Sequence, residues 1–239
     1  MPILAPILSI DTCGPSGSVA LGRLAGRDLE VFGQIELAGR TYSAMLVTAV
    51  RDLLRAAGAG LGDLGGIVVT NGPGSFTGVR VGLSAVKGLA EGRSIPVVAL
   101  SRLLVLARKA GVPSAALDAH RGELFLRIEN AGRNPVELLA GAAELAAVES
   151  PPLRIALCDE PAMEMVAAAW PGTQIVRSEP PMAADALRLG ESRLVAGVYV
   201  DLALLDGHYL RRSDAEIFGT QNTNMEASGK PQALESERS

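Results

Sequence analysis

The stretch from residue 71 to residue 82 reads NGPGSFTGVRVG and decides the fold more than any other part of the chain. It joins an apolar run, Gly66–Asn71, to a segment of helical periodicity, Val79–Glu91. A strand, a glycine-rich loop and a helix start can hold an anion, because free backbone N–H groups point out of the helix terminus. The Gly-Lys-Ser/Thr of a P-loop is absent, so a tight turn that packs the helix against a sheet stays open as the alternative.

The helix after this loop has two faces. One face carries Val79, Leu83, Val86 and Ala90. The other is a bare strip formed by Gly78, Gly82 and Ala85. Glycine inside a helix costs about 0.5–1 kcal/mol relative to alanine, so another backbone is expected to come close to the strip. A helix with two such faces is either sandwiched inside the fold or docks a partner. For the docking alternative, we predict that a bulky cation at this position, Gly82→Arg, would abolish pairing and leave the fold intact.

Alternating elements surround the motif and predict a mixed α/β sheet domain. The predicted elements up to residue 110 are strands at 7–12, 18–22, 30–37, 66–71 and 95–100, and helices at 44–57, 79–91 and 102–110. Ser43 and Gly58 are the expected caps of the first helix. The later residues predict helices at 141–148, 161–170 and 182–196, with strands at 114–118, 123–128, 153–158 and 174–176.

The first hairpin recurs later in the chain. Ile7–Asp11 is an apolar run that ends in an acid, and Ser114–Asp118 is a second one. Each run is followed by a turn and a returning strand, so Asp11 and Asp118 are equivalent positions. Two interpretations remain open: a chance likeness of two ordinary hairpins, or a duplicated fold whose lobes face each other across a cleft.

Composition excludes several classes of protein. The 239 residues include 22 Lys and Arg against 26 Asp and Glu, and 3% aromatic residues, which is unlike a free-standing nucleic-acid binder. Two cysteines, Cys13 and Cys158, and two histidines, His120 and His208, argue against a metal site, and two reduced thiols are favoured over one disulfide. Met1–Pro6 lacks the basic start of a signal peptide, and no apolar stretch reaches the roughly 18–20 residues of a membrane span, so a cytoplasmic protein without membrane contact is expected.

Several stretches resemble the TsaB family, also called YeaZ, of accessory proteins in bacterial tRNA threonylcarbamoyladenosine synthesis. The similar residues are the strand end Ile10–Thr12, the run Gly72–Leu83, then Lys87–Ala90, Leu117–Glu123 and, near the C-terminus, His208–Arg212. The resemblance is good over residues 7–128 and holds only in outline over 130–200.

The resemblance implies the actin-like ATPase (ASKHA) superfold, an α/β fold with two lobes of mixed sheets that derive from duplication. The first lobe would span residues 1–100 and a reduced second lobe 101–212. This expectation agrees with the repeat of Asp11 and Asp118. The polar composition of the last residues separately predicts a disordered tail at 213–239.

The resemblance also implies a function. The chain would be a non-catalytic scaffold that pairs with and activates the catalytic paralogue TsaD, which transfers threonylcarbamoyl to the tRNA adenosine next to the anticodon. The ATPase TsaE would join the complex, and the chain alone would form a homodimer through the same surface. No cofactor is expected for the chain alone, ATP or ADP are candidate ligands of the assembled complex, and tRNA would be contacted only through the complex.

Site residues follow from the same resemblance. The expected partner interface comprises Tyr42, Met45, Leu46, Gly74, Ser75, Phe76, Thr77, Gly78, Val81, Gly82 and Ala85. Asp11, Thr12 and Asp118 would line a vestigial cleft, and no catalytic or metal-binding residue is expected. Tyr42 stands where many relatives carry histidine, which leaves the polar detail of the interface open.

Two other functions compete with the scaffold. In a free-standing ATPase or phosphotransferase of the same superfold, Asp11 would orient Mg²⁺, Gly72–Gly78 would hold phosphate, and Asp118 would act as base or second metal contact. The second half has no glycine-rich nucleotide loop, which argues against it. A peptidase is disfavoured because the sequence offers neither a metal site nor a Ser-His-Asp arrangement.

Overall fold

The protein is described here by a computed structural model that covers residues 5–25, 28–39 and 42–211. The predicted disordered tail, residues 213–239, and Arg212 of the C-terminal motif lie outside the described residues. In the three covered ranges, no helix combines the length and the apolar character needed to cross a lipid bilayer.

The described residues form two five-stranded sheets and six α-helices. The strands are β1 (Ile7–Asp11), β2 (Gly17–Ala25), β3 (Asp28–Leu37), β4 (Gly66–Thr70), β5 (Val97–Leu100), β6 (Ser114–Asp118), β7 (Leu124–Ile128), β8 (Val136–Ala140), β9 (Arg154–Leu157) and β10 (Gln174–Arg177). The helices are α1 (Tyr42–Ala56), α2 (Phe76–Glu91), α3 (Arg102–Lys109), α4 (Ala142–Ala146), α5 (Glu160–Ala169) and α6 (Ala183–Val195).

The two sheets have the same topology. The first has the order β3-β2-β1-β4-β5, with β2 antiparallel to β1 and to β3, and with β4 parallel to both β1 and β5. The second has the order β8-β7-β6-β9-β10 with the corresponding directions. Asp11 ends β1 and Asp118 ends β6, so the two acids occupy equivalent positions. The duplicated α/β fold is thereby confirmed, and the chance-likeness interpretation is wrong.

Alternation of side chains along the buried strands gives the first sheet two apolar faces. Leu8 and Ile10 of β1 pack in a core with α1 and α2. Ile7 of β1 and Val68 of β4 point the other way, into a core that includes Leu187 of α6. The first sheet is therefore covered by helices on both faces.

The two repeats exchange their last helices. Helix α3 follows the first sheet along the chain, yet Leu103 and Leu106 pack with Leu117 and Phe125 of the second sheet. Helix α6 follows the second sheet but covers the first, and Gly190 permits this contact because a Cβ there would lie 2.6 Å from Val68 Cγ2. Helix α6 lies in the C-terminal part of the predicted second lobe, residues 101–212, but packs on the first sheet.

Several local predictions differ from the structure. Strand β8 was not predicted, because this edge strand is partly exposed and lacks a clear apolar alternation. Helix α1 begins at Tyr42, so Ser43 lies inside the helix and is not its cap. Gly58 follows the helix with a φ of 66°, as expected for the residue that ends it, and Ala59 N–H donates to the Leu54 carbonyl at 2.9 Å.

Candidate functional site

The loop at residues 72–78 is held by its own chain. Ser75 N–H donates to the Cys13 carbonyl oxygen at 2.8 Å, and the Ser75 hydroxyl accepts from Gly78 N–H at 3.3 Å as the cap of α2. Two N–H groups that an anion would have used are therefore already bonded. This geometry favours the tight turn over the anion cradle.

Gly78 and Gly82 of the bare strip of α2 face the interior of the first lobe, whereas Ala85 is only partly buried. A Cβ at Gly78 would lie 2.0 Å from the Thr12 carbonyl oxygen, and one at Gly82 would lie 2.4 Å from Thr12 Oγ1. The Thr12 hydroxyl also donates to the Gly78 carbonyl at 2.6 Å, and Thr12 is buried. The close backbone approach inferred from the glycines is present, but it occurs within the chain. The prediction that a large side chain at Gly82 would spare the fold is therefore wrong, because it would collide with Thr12.

Asp11 already has a cationic partner. Arg102 Nε lies 3.4 Å from Asp11 Oδ2, and Cys13 N–H donates to Asp11 Oδ1 at 2.9 Å. The two charged side chains are 3% and 7% exposed, so the pair is enclosed. Burial alone would lower the pKa of Arg102, but the Asp11 charge, the nearby Cys13 and Cys158 side chains and the hydrogen bond to Asp11 together outweigh burial, and the pKa is raised. The carboxylate predicted to orient Mg²⁺ is thus neutralised by a side chain of α3.

Cys13 lies beside this pair and is unreactive in character. Its thiol donates to the Thr70 carbonyl at 3.1 Å. Burial, followed by the nearby Asp11 charge, raises the pKa of Cys13 well above its usual value. Burial likewise raises the pKa of Cys158 to about 11, and both cysteines are free thiols. Neither side chain has the lowered pKa of a nucleophile.

Asp118 is engaged in its own turn. Its Oδ1 accepts from His120 N–H at 2.7 Å, and its Oδ2 lies 2.9 Å from His120 Nδ1. Asp11 and Asp118, the two predicted cleft acids, therefore have different partners. In residues 5–25, 28–39 and 42–211, no three His, Cys, Asp or Glu side chains form a cluster that could hold a metal ion.

An open groove lies between α1 and α2 on the surface of the first lobe. Its volume is about 530 Å³. The lining residues are Ser43, Leu46, Val47, Phe76, Thr77, Arg80, Val81, Ser84 and Ala85. Val47 is 67% exposed and Phe76 is 39% exposed, so large apolar side chains face solvent here. We use the name α1/α2 groove for this set of residues.

The predicted interface residues divide into two groups. Those at the surface, fully or in part, are Met45, Gly74, Ser75, Phe76, Thr77, Val81 and Ala85. Those buried in the lobe are Tyr42, Leu46, Gly78 and Gly82, although Leu46 still reaches the groove. The Tyr42 hydroxyl donates to the Gly14 carbonyl at 2.6 Å, so this polar tip is satisfied inside the protein. Ser43 and Val47 also line the groove, but they are not among the interface residues predicted from the sequence. The signal that could have identified Val47 is its position next to Leu46, which makes the apolar face of α1 wider than one strip.

Three side chains stack at one end of the groove. The Arg80 guanidinium lies 3.8 Å from the centroid of the Phe76 ring. The Phe76 ring in turn lies 5.1 Å, centroid to centroid, from the ring of Tyr209. We call these residues, Arg80, Phe76 and Tyr209, the rim stack.

The segment that carries Tyr209 ties the second lobe to the loop at residues 72–78. His208 N–H donates to the Asn71 carbonyl at 2.7 Å, and His208 Nε2 lies 2.8 Å from Glu137 Oε2 of β8. Burial would raise the pKa of Glu137, but hydrogen bonds from His208, Ser101 and Arg127 outweigh it and the pKa is lowered. Arg211 pairs with Glu123. The second lobe therefore supports the end of the groove through this segment.

Comparisons with known proteins fit this architecture. The family model of TsaD, tRNA N6-adenosine threonylcarbamoyltransferase, matches residues 34–143. The tRNA threonylcarbamoyladenosine biosynthesis protein TsaB of Escherichia coli (strain K12) is 38% identical over 125 residues, which are 50% of this chain and 52% of that protein. The chain thus spans about half the length of the curated relatives it matches.

Two solved structures from Pseudomonas aeruginosa extend the likeness to the whole fold. One, described as an uncharacterized protein with similarity to peptidase YEAZ, has a TM-score of 0.69 at 26% identity and covers 87% of this chain and 100% of its own. The other, YeaZ, has a TM-score of 0.66 at 26% identity, with 86% and 100% covered. The similarity therefore reaches beyond the segment matched by sequence.

Proposed function

We propose that this chain, which is similar to TsaB (YeaZ) proteins over about half of its sequence and over most of its fold, is a non-catalytic accessory subunit of tRNA threonylcarbamoyladenosine synthesis. Its role is to pair with and activate a TsaD-type catalytic subunit, which transfers threonylcarbamoyl to the tRNA adenosine next to the anticodon. The observation that carries this proposal is the exposed apolar α1/α2 groove, in a lobe whose predicted cleft acid is already paired.

The shape and chemistry of the α1/α2 groove support the proposal that pairing occurs there. A surface with Val47, Phe76 and Val81 between two helices accepts a helix, because ridges of one helix fit the grooves of another. The TsaD family model matches this part of the chain, so a TsaD-type subunit would offer related helices for a pseudo-symmetric contact. In isolation, a second copy of the chain occupies the same groove as a homodimer.

The other parts of the proposal concern the assembled complex. A TsaE-type ATPase joins the pair, tRNA is contacted through the complex, and ATP or ADP binds there. The chain acts in the cytoplasm. The acidic balance of the chain, with 22 Lys and Arg against 26 Asp and Glu, supports a tRNA contact that depends on the partner.

The isolated chain is expected not to hydrolyse ATP. Asp11 contacts Arg102, so its carboxylate is not free to orient a metal ion, and the loop at residues 72–78 bonds to Cys13. Phosphate release from ATP and Mg²⁺, measured on the purified chain, should match the rate of a buffer blank. A rate that is lost in an Asp11→Asn variant would contradict the proposal and support the ATPase alternative.

Val47→Asp is expected to abolish pairing and leave the fold intact. Val47 is 67% exposed in the free chain, so an aspartate there is solvated, but docking would bury it among apolar side chains. We expect the affinity for a TsaD-type subunit to fall at least about tenfold, measured by titration calorimetry. Leu153→Asp is the matched control, because Leu153 is 86% exposed and does not line the groove.

The molar mass measured by light scattering distinguishes a monomer, a homodimer and a heterodimer. The wild-type chain should be a homodimer alone and a heterodimer when mixed with the TsaD-type subunit of the same organism. The mixture should also modify tRNA faster than the TsaD-type subunit alone. A chain that stays monomeric in the mixture, or a Val47→Asp variant that still pairs, would overturn the proposal.

A further inference from the structure

Arg80 is the charged side chain among the nine residues that line the α1/α2 groove. It is exposed, and its guanidinium lies over the Phe76 ring in the rim stack. In the part of the chain that the structure describes, Arg80 forms no ion pair with a carboxylate. Most of the groove is apolar, so this cation is the distinctive group that an incoming surface meets.

The rim stack restrains the Arg80 side chain and leaves its N–H groups available for an ion pair. A guanidinium that lies on an aromatic face keeps its N–H groups available at its edge. Because Phe76 is itself packed on Tyr209, the platform under Arg80 has limited freedom. An arginine held in this way loses less side-chain entropy when it binds a carboxylate.

Docking changes the environment of Arg80. A partner that covers the apolar groove removes water from the guanidinium, and a desolvated cation without a counter-charge opposes binding. A carboxylate on the partner would instead form a charge-assisted, bidentate hydrogen bond with it. The energetics of the same surface therefore depend on whether the partner carries an acid at this point.

Within residues 5–25, 28–39 and 42–211, a second copy of this chain offers no acid at the groove. In a two-fold dimer the same surface patch is used by both subunits, and the groove is lined without any Asp or Glu. The acidic residues of the two helices are Asp52 on α1, which contacts Arg51 and Arg55, and Glu91 at the C-terminal end of α2. Neither lines the groove, so the described residues that form the groove in a second copy would bring no counter-charge to Arg80.

We propose that Arg80 is a specificity-determining residue, which selects a partner whose docking helix carries an aspartate or glutamate opposite it, over a second copy of the chain. This inference rests on the proposed function, since it assigns the chemistry of the partner at the same groove. Self-pairing is then the weaker association, and a carboxylate-bearing partner displaces it.

Arg80→Met separates the two associations. Methionine keeps an unbranched apolar side chain against Phe76 and removes the charge. The affinity for the TsaD-type subunit should fall about tenfold, while the self-association constant should stay the same or rise. The salt dependence of heterodimer formation should also decrease, because an ion pair is screened and an apolar contact is not.

Two further variants serve as controls. Arg80→Lys keeps the charge but loses the planar fork, so it should restore part of the heterodimer affinity. Arg51→Met removes an exposed cation of α1 that lies outside the groove and should leave both associations unchanged. Thermal unfolding of each variant checks that the fold is kept.

The outcomes distinguish this inference from the function on which it rests. If Arg80→Met weakens the homodimer and the heterodimer equally, Arg80 is a general contact and the inference is wrong. If Arg80→Met changes neither association while Val47→Asp abolishes both, the groove pairs without using Arg80 and only the inference fails. If Val47→Asp also changes neither, the proposed function fails, and the inference with it.

Discussion

Gly78→Ala is expected to destabilise the fold by about 3 kcal/mol or more. The new Cβ would lie 2.0 Å from the Thr12 carbonyl oxygen, a backbone atom that cannot rotate away. Relief requires α2 to move off the end of β1, which also breaks the hydrogen bond from the Thr12 hydroxyl to the Gly78 carbonyl. The free energy of unfolding in urea, compared with wild type, measures the effect.

Gly88→Ala is the matched control on the same helix. Nothing lies within 4 Å of a Cβ built at Gly88. Since alanine is the better helix former, this variant should gain up to about 1 kcal/mol of stability. The two substitutions are chemically identical, so an equal change in stability at both positions would show that the contact with Thr12 does not control the response.

Arg102→Met is expected to destabilise the protein by about 3–5 kcal/mol. It leaves the Asp11 carboxylate enclosed beside the Cys13 thiol without its cation. The side chains of Arg102 and Asp11 are 7% and 3% exposed, so water cannot replace the lost partner without rearrangement. The urea midpoint at neutral pH is the measurement, with Asp11→Asn/Arg102→Met as the companion variant.

The companion variant removes both charges and should recover part of the loss, because no isolated buried charge remains. Arg177→Met breaks an ion pair with Glu160 whose side chains are 68% and 61% exposed, and it should change stability by less than about 1 kcal/mol. Equal losses at Arg102 and Arg177 would mean that burial of the Asp11 pair does not contribute to stability.

The sequence predicted most of the fold because its signals are local. The motif at residues 71–82 places a strand, a turn and a helix in order, and the recurrence of an apolar run ending in Asp predicts the second sheet. The exchange of α3 and α6 could not be predicted, because both helices have apolar faces that fit either sheet. Which sheet each one covers depends on long-range packing such as that of Gly190 on Val68.

The candidate site was predicted less completely, for a related reason. Gly78 and Gly82 correctly indicate close backbone approach, but spacing alone does not say whether the approaching backbone belongs to the same chain. Asp11 and Arg102 are 91 positions apart in the sequence, so no local sequence pattern predicts that they form an ion pair. By contrast, Met45, Phe76 and Thr77 were selected from the resemblance and do lie at the surface, with Phe76 and Thr77 in the groove.

The exchange of helices has a consequence for synthesis on the ribosome. When the first hundred residues have emerged, β1 and β4 can pair, but the core around Ile7 and Val68 stays incomplete until α6 is made. The nascent chain therefore exposes apolar surface on the face of the first sheet that carries these two residues while the second lobe is being synthesised. Because residues 183–195 complete the core of the first lobe, we expect that lobe to reach its final packing only after the second lobe has been synthesised.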